Sequence, residues 1–142
     1  MKEYLISDDK SKLQVSVIYK YLSEESYWAK NIPLQTVEKS IENSLCFGVY
    51  FGGEQVGFAR VITDYATFAY LADVFILEEH RKKGLSKELM QYILKYPKLQ
   101  GLRRFMLATK DAHSLYEQFG FTSTPNPKNI MEIKKENIYQ TN

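Results

Sequence analysis

The chain has 142 residues, 44% of them hydrophobic, with 19 Lys and Arg against 17 Asp and Glu for a net charge of +2. That is enough chain to bury one good core and not two, so one domain over residues 1–142 is expected, with its core at about 4–133 and the polar 134–142 as a flexible tail. Near-balanced charge leaves no long-range pull toward nucleic acid or anionic lipid, and no apolar run approaches the ~18 residues of a membrane span.

Met1-Lys2-Glu3-Tyr4 leads straight into mixed sequence with no secretory apolar region, and Cys46 is the only cysteine. One thiol and two histidines cannot build a closed cysteine-rich zinc site. A soluble, cytoplasmic protein without a metal follows. The 11 Tyr and 8 Phe hint at a ring-lined pocket.

In chain order, Tyr4-Leu5-Ile6 is a short strand, and Asp8 or Asp9 can cap a helix whose apolar positions are Leu13, Val17 and Tyr21. Residues 23–32, with Tyr27 and Trp28, have no period and are a loop. A second helix starts near Pro33 and carries Leu34, Val37 and Ile41 on one face.

Leu45, Phe47, Val49 and Phe51 alternate along a strand, and Gly52-Gly53 supplies the positive dihedrals of a tight hairpin into residues 55–63. The near-continuous apolar run FAYLADVFIL, residues 68–77, predicts a strand covered on both faces at the centre of the sheet. A charged turn precedes a helix with Leu85, Leu89, Ile93 and Tyr96 on one stripe, ended by Pro97, and residues 103–108 return as a strand. Strand, helix and strand make a βαβ unit with parallel pairing. Asp111 caps a short helix bearing Ala112, Leu115, Tyr116 and Phe119, closed by Gly120. Last strands are expected from Phe121 onward and over 130–133. The sum is an α+β domain with a central mixed sheet and about four helices.

The strongest chemical signal is Glu78-Glu79-His80-Arg81-Lys82-Lys83-Gly84-Leu85-Ser86, a turn between a buried strand and a helix N-terminus. Unpaired backbone N–H groups and the helix dipole favour phosphate there. Gly84 keeps side-chain bulk away, and Arg81, Lys82, Lys83 and Lys87 bring positive charge. The alternative is a solvated turn whose charges serve solubility. Neither a Gly-Lys-Ser/Thr loop nor G-x-G-x-x-G occurs.

Arg81-x-x-Gly84-x-Ser86 resembles the R/Q-x-x-G-x-G/A signature of the GNAT N-acetyltransferase superfamily, with Ser86 in place of the usual Gly or Ala. A second segment, Ala112-His113-Ser114-Leu115-Tyr116-Glu117-Gln118-Phe119-Gly120-Phe121, is similar to that family's A-x-x-L-Y-E-x-x-G-F. The resemblance covers roughly residues 4–133. It implies an enzyme moving the acetyl group of acetyl-CoA directly to an amine, with no metal, as a monomer or weak homodimer. It also implies that residues 81–87, Leu85 among them, hold the CoA pyrophosphate. The backbone of Phe75, Ile76 and Leu77 would meet the pantetheine arm, and Thr109 stands where many members carry an Asn that touches the same arm.

By the same resemblance Tyr116 protonates the departing thiolate, and Tyr27 and Trp28 wall the acceptor pocket. Asp73 is the one carboxylate inside an otherwise apolar run, and two readings stay open for it: general base, or an ion pair with a residue such as Arg60. Glu24 and Glu25 are weaker bases, and a water chain is a third route. Cys46 is expected to pack as a small hydrophobe, since neither His80 nor His113 is placed to serve it. Two other functions are a CoA-binding protein without catalysis and a nucleic-acid module using Arg81, Lys82, Lys83, Arg103 and Arg104.

Overall fold

The computed structural model describes residues 3–139. Five strands form one mixed sheet in sequential order: β1 (Tyr4–Ser7), β2 (Leu45–Phe51), β3 (Glu54–Thr63), β4 (Phe68–Ile76) and β5 (Arg104–Leu107). The first four pair antiparallel, and β5 lies parallel to β4. The helices are α1 (Val15–Lys20), which runs on into a π turn (Tyr21–Glu25), α2 (Leu34–Glu42), α3 (Leu85–Leu94) and α4 (His113–Glu117). The expected mixed sheet, four helices and βαβ crossover are all present.

Side-chain alternation along the strands divides the core between the two faces of the sheet. Phe47, Val49, Ala59, Val61 and Leu71 pack against Leu85, Leu89, Met90 and Ile93 of α3. On the other face Cys46, Phe58 and Phe75 meet Ile18 and Leu22 with Val37 and Ile41 of α2. Burial of β2 on both faces explains why its sequence reads as apolar almost throughout. Gly52 and Gly53 hold φ of 58° and 82° between β2 and β3, the positive pair of a two-residue hairpin.

Four expectations are corrected. Asp9 caps only a single 3₁₀ turn, and α1 starts later, at Val15, where Gln14 and Gln55 exchange backbone-to-side-chain hydrogen bonds of 2.7 and 3.0 Å. Leu34 is exposed and only Val37 and Ile41 of the α2 stripe are buried. The long apolar strand β4 is not the centre of the sheet; β3 is. The middle of β4 is half-buried because it borders an open cavity.

Finally, residues 121–126 and 130–135 form no strand, and Met131 and Ile133 are 92% and 97% exposed. Pro125 falls within the first piece and Pro127 just after it, and proline has no N–H to give to a ladder.

One irregularity shapes the molecule. Phe58 pairs with Phe75 and Arg60 with Ala72, so Asp73 and Val74 together oppose Ala59. This is a β-bulge, and Asp73 sits in the left-handed region at φ 53°. Parallel pairing with β5 ends at Leu71–Leu107, just before the bulge. Beyond it β4 continues along β3, with Leu77 N–H donating to the Val56 carbonyl at 2.8 Å, while β5 leads away into residues 108–112. The sheet therefore opens on one side of the bulge.

Candidate active site

The opening between β4 and β5 exposes backbone. Leu77 turns its N–H to β3, and strand alternation turns Phe75 the same way. Val74 and Ile76 then face the open side. Of the three expected backbone positions, only Ile76 points there, and its carbonyl already accepts from Arg81 Nε at 2.9 Å. Val74, one of the two bulge residues, was missed by sequence reading because nothing in the pattern signals the extra residue.

Arg81 also donates through Nη2 to the Tyr21 hydroxyl at 3.1 Å, so this arginine ties the end of β4 to the π turn after α1. The following turn is built for a close approach to backbone. Lys82 and Gly84 hold φ of 63° and 78°, and a Cβ on Gly84 would meet nothing within 4 Å. Gly84 is the N-cap of α3, with no side-chain cap, which leaves the first N–H groups of a ten-residue helix facing the turn. A hollow of about 170 Å³ lies there, lined by Ile76, Arg81, Lys82, Gly84, Leu85, Ser86 and Lys87. Free N–H groups, a helix dipole and flanking cations suit a phosphate-bearing group, and the open β4 edge runs up to it.

At the other end of the opening is a cavity of about 560 Å³ bordered by the bulge, by residues 107–112 and by the loop after the π turn. Tyr116 on α4 faces it and is 9% exposed. Burial raises the pKa of its phenol, helped by nearby Tyr27 and Asp111, so the hydroxyl keeps its proton well past neutral pH. It makes no hydrogen bond among the described residues. Thr109 lines the same cavity, and its hydroxyl accepts from the Ala112 N–H at 3.0 Å. That bond closes the turn before α4; the N-cap is Ala112, not the expected Asp111, and no side chain caps the helix.

Asp73 also lines this cavity, with both oxygens engaged. Oδ2 accepts from Arg60 Nε at 2.8 Å, and Oδ1 accepts from Trp28 Nε1 at 2.7 Å. Arg60 is held in turn by Ser44 Oγ at 3.1 Å. These contacts favour the ion-pair reading over the base, since both carboxylate oxygens are already taken up by donors from the protein.

Tyr27 and Trp28 form an edge-on pair with centroids 5.1 Å apart over the cavity. Each is pinned across the opening, Trp28 to Asp73 and Tyr27 by the Lys110 N–H at 3.3 Å. Tyr70, Lys110, Asp111 and Lys134 also line it; none was read from sequence as a site residue, and Asp111 was expected only as a helix cap.

The remaining candidates lie elsewhere. Glu24 and Glu25 are exposed and do not line the cavity. Cys46 is buried, and loss of hydration pushes its thiol up to about 11. His80 bonds the Tyr4 hydroxyl at 2.8 Å and His113 is exposed, so neither activates it. Lys83 is exposed beside the turn without lining the hollow. Among the described residues no group of three or more His, Cys, Asp or Glu could hold a metal ion, and no helix is long and apolar enough to cross a membrane.

Comparison with known proteins gives the same outline. Residues 15–121 match the model of the family described as "Acetyltransferase (GNAT) family". A protein of Gibberella zeae provisionally named acetyltransferase FG08082 is 37% identical over 136 residues, covering 80% of this chain and 76% of its own length. A crystal structure from Xanthomonas campestris pv. campestris, provisionally assigned as a GNAT acetyltransferase, superposes with a TM-score of 0.96 at 52% identity and covers 99% of both chains. At 18% identity, where only the fold is comparable, an aminoglycoside N-acetyltransferase in complex with CoA has a TM-score of 0.64 and covers 96% of this chain and 97% of its own.

Proposed function

This chain belongs to the acetyltransferase (GNAT) family, and from that premise we propose that it is an acyltransferase moving the acetyl group of acetyl-CoA directly to an amine. The observation that carries the reading is the open edge of β4, which joins the Gly84 turn at one end to the Tyr116 hydroxyl at the other. Acetyl-CoA supplies the activated acetyl group as a thioester.

The α3 N-terminus, Lys82 and Lys87 bind the phosphates, with Lys83 adding positive charge from outside the hollow, while Gly84 keeps Cβ bulk out of it. Leu85 and Ser86 contribute backbone N–H groups and a small lining. The backbone of Val74 and Ile76, with Thr109 opposite, lies along the arm. Phe75 and Leu77 support that edge from the β3 side. Arg81 holds the end of β4 in place through Ile76 and Tyr21 rather than pairing with phosphate alone.

Tyr116 gives its proton to the leaving sulfur, a role suited to a phenol that burial keeps protonated. Asp73 acts as a positioning residue: through Trp28 it sets the wall against which the acceptor lies, and the amine's proton leaves to water at the mouth. Buried Cys46, protonated and without an imidazole partner, offers no acyl-enzyme route.

The test is release of free CoA thiol from acetyl-CoA across a library of amines, run beside thermal melts with CoA. Amine-dependent release together with a raised Tm is expected. No rise at millimolar ligand contradicts the reading. A rise without release on any amine would favour a CoA-binding protein that does not catalyse.

A further inference from the structure

The acceptor cavity carries an unusual charge pattern for an enzyme that must receive a cation. Its lining includes two carboxylates, Asp73 and Asp111, and three basic groups, Arg60, Lys110 and Lys134. Asp73 and Arg60 neutralise each other at 2.8 Å. What faces an incoming molecule is therefore one carboxylate against two ammonium groups, neither of which forms an ion pair among the described residues.

The neighbouring hollow of about 510 Å³ behind Tyr27 and Trp28 has the same bias, with Lys30, Lys134 and Lys135 against Glu136. Arg60 adds a further donor: Nε goes to Asp73 and Nη1 to Ser44, and Nη2 has no protein acceptor among the described residues. A polycation would meet net repulsion here, because each extra ammonium lacks a carboxylate to match it. The rest of the wall is apolar or aromatic, from Tyr27, Trp28, Tyr70 and Leu107.

Resting on the acyltransferase reading above, we infer that the acceptor is a small amine that also carries a carboxylate, with an apolar or aromatic body, as in an α-amino acid. Its amine is directed to the Tyr116 hydroxyl, and its carboxylate to the Lys110 ammonium, which lies 5.3 Å over the Tyr27 ring, and to the free edge of Arg60. Polyamines and aminoglycosides, which bring several ammonium groups and no anion, are poor acceptors.

The experiment compares amino acids, each paired with the amino alcohol of the same side chain, and spermidine, by thiol release with the intact protein. Acetyl-CoA binding is measured alongside by calorimetry. At least one amino acid should exceed its amino alcohol about tenfold or more in kcat/KM, and added salt should shrink the ratio because Lys110 is exposed. Lys110→Gln should cut the ratio several-fold while acetyl-CoA affinity stays unchanged.

Preference for spermidine or for the amino alcohols overturns the inference and leaves the acyltransferase reading intact. So does binding of acetyl-CoA with no turnover of any amino acid. A preference for acids that Lys110→Gln and salt leave untouched overturns the assignment of the carboxylate to Lys110. Absence of acetyl-CoA binding contradicts the reading beneath and the inference falls with it.

Discussion

Asp73→Asn separates the two roles open to this carboxylate. Asparagine tolerates the left-handed backbone at φ 53°, so the bulge itself gains no strain. The amide has one acceptor, however, and two donors already point at this side chain, Trp28 Nε1 at 2.7 Å and Arg60 Nε at 2.8 Å. Either choice of amide orientation sets an N–H against an N–H.

Breaking a fully buried pair costs about 3–5 kcal/mol. The side chains here are 16% and 10% exposed, so some water reaches them and about 2–3 kcal/mol is the better figure. For a chain of this length that is a fall in Tm of roughly 6–10 °C.

The catalytic effect distinguishes positioning from proton transfer. If Asp73 positions the acceptor through Trp28, its loss raises the acceptor KM, lowers kcat less than tenfold, and leaves the pH profile of kcat unchanged in shape. Acetyl-CoA affinity, set at the far end of the opening, should not move. Steady-state kinetics over pH, with calorimetric titration of acetyl-CoA, reads all of these. A fall in kcat of a hundredfold or more at saturating acceptor, with KM unchanged and the rising limb of the profile lost, would refute the argument and make Asp73 the base.

Tyr116→Phe removes a hydroxyl without a protein partner, so Tm should change by no more than a few degrees while kcat falls by ~10²–10⁴ in single-turnover measurement; a normal rate would place the proton donor elsewhere. Because burial raises the pKa of this phenol, the native fold holds its proton more tightly than the unfolded chain does. The associated stability is present below the ordinary tyrosine range near 10 and is lost as pH rises beyond it, a loss that Tyr116→Phe should lessen in alkaline melts. Gly84→Val places a branched side chain at φ 78°, costing about 1–3 kcal/mol of stability, and should abolish measurable acetyl-CoA binding in a protein that remains folded by circular dichroism. Cys46, with its thiol pushed up to about 11, should resist iodoacetamide at pH 8 until denaturant is added, and Cys46→Ala should keep full turnover.

Elements with a strong period or a specific turn were readable from the sequence. Gly52-Gly53 announced its hairpin, and the Leu85, Leu89, Ile93 stripe and the βαβ order needed only side-chain periodicity. The turn at Gly84 was readable because a left-handed glycine before a helix is a local requirement. What could not be read depends on pairings made across the sheet. An extra residue at Asp73 and Val74 leaves no mark in an apolar run, yet it decides which backbone groups face the opening.

Arg81 looked like a phosphate ligand from its neighbours, and its bonds to Ile76 and Tyr21 join positions distant in sequence. The same limit applies in part to Asp73: its pairing with Arg60 was among the readings the sequence left open, while its bond from Trp28, in a distant loop, was not foreseen. Short apolar pieces after α4 resembled strands in composition, but two prolines keep that stretch out of the ladder.

Amide hydrogen exchange, followed by mass spectrometry with and without saturating acetyl-CoA, tests most directly whether the cofactor lies along the open edge of β4. Protection should rise in peptides covering Val74 and Ile76, residues 84–87 and residues 107–112, and stay unchanged over α2 and β1. Binding that leaves residues 74–76 and 84–87 unprotected, or that protects another surface, would contradict the account.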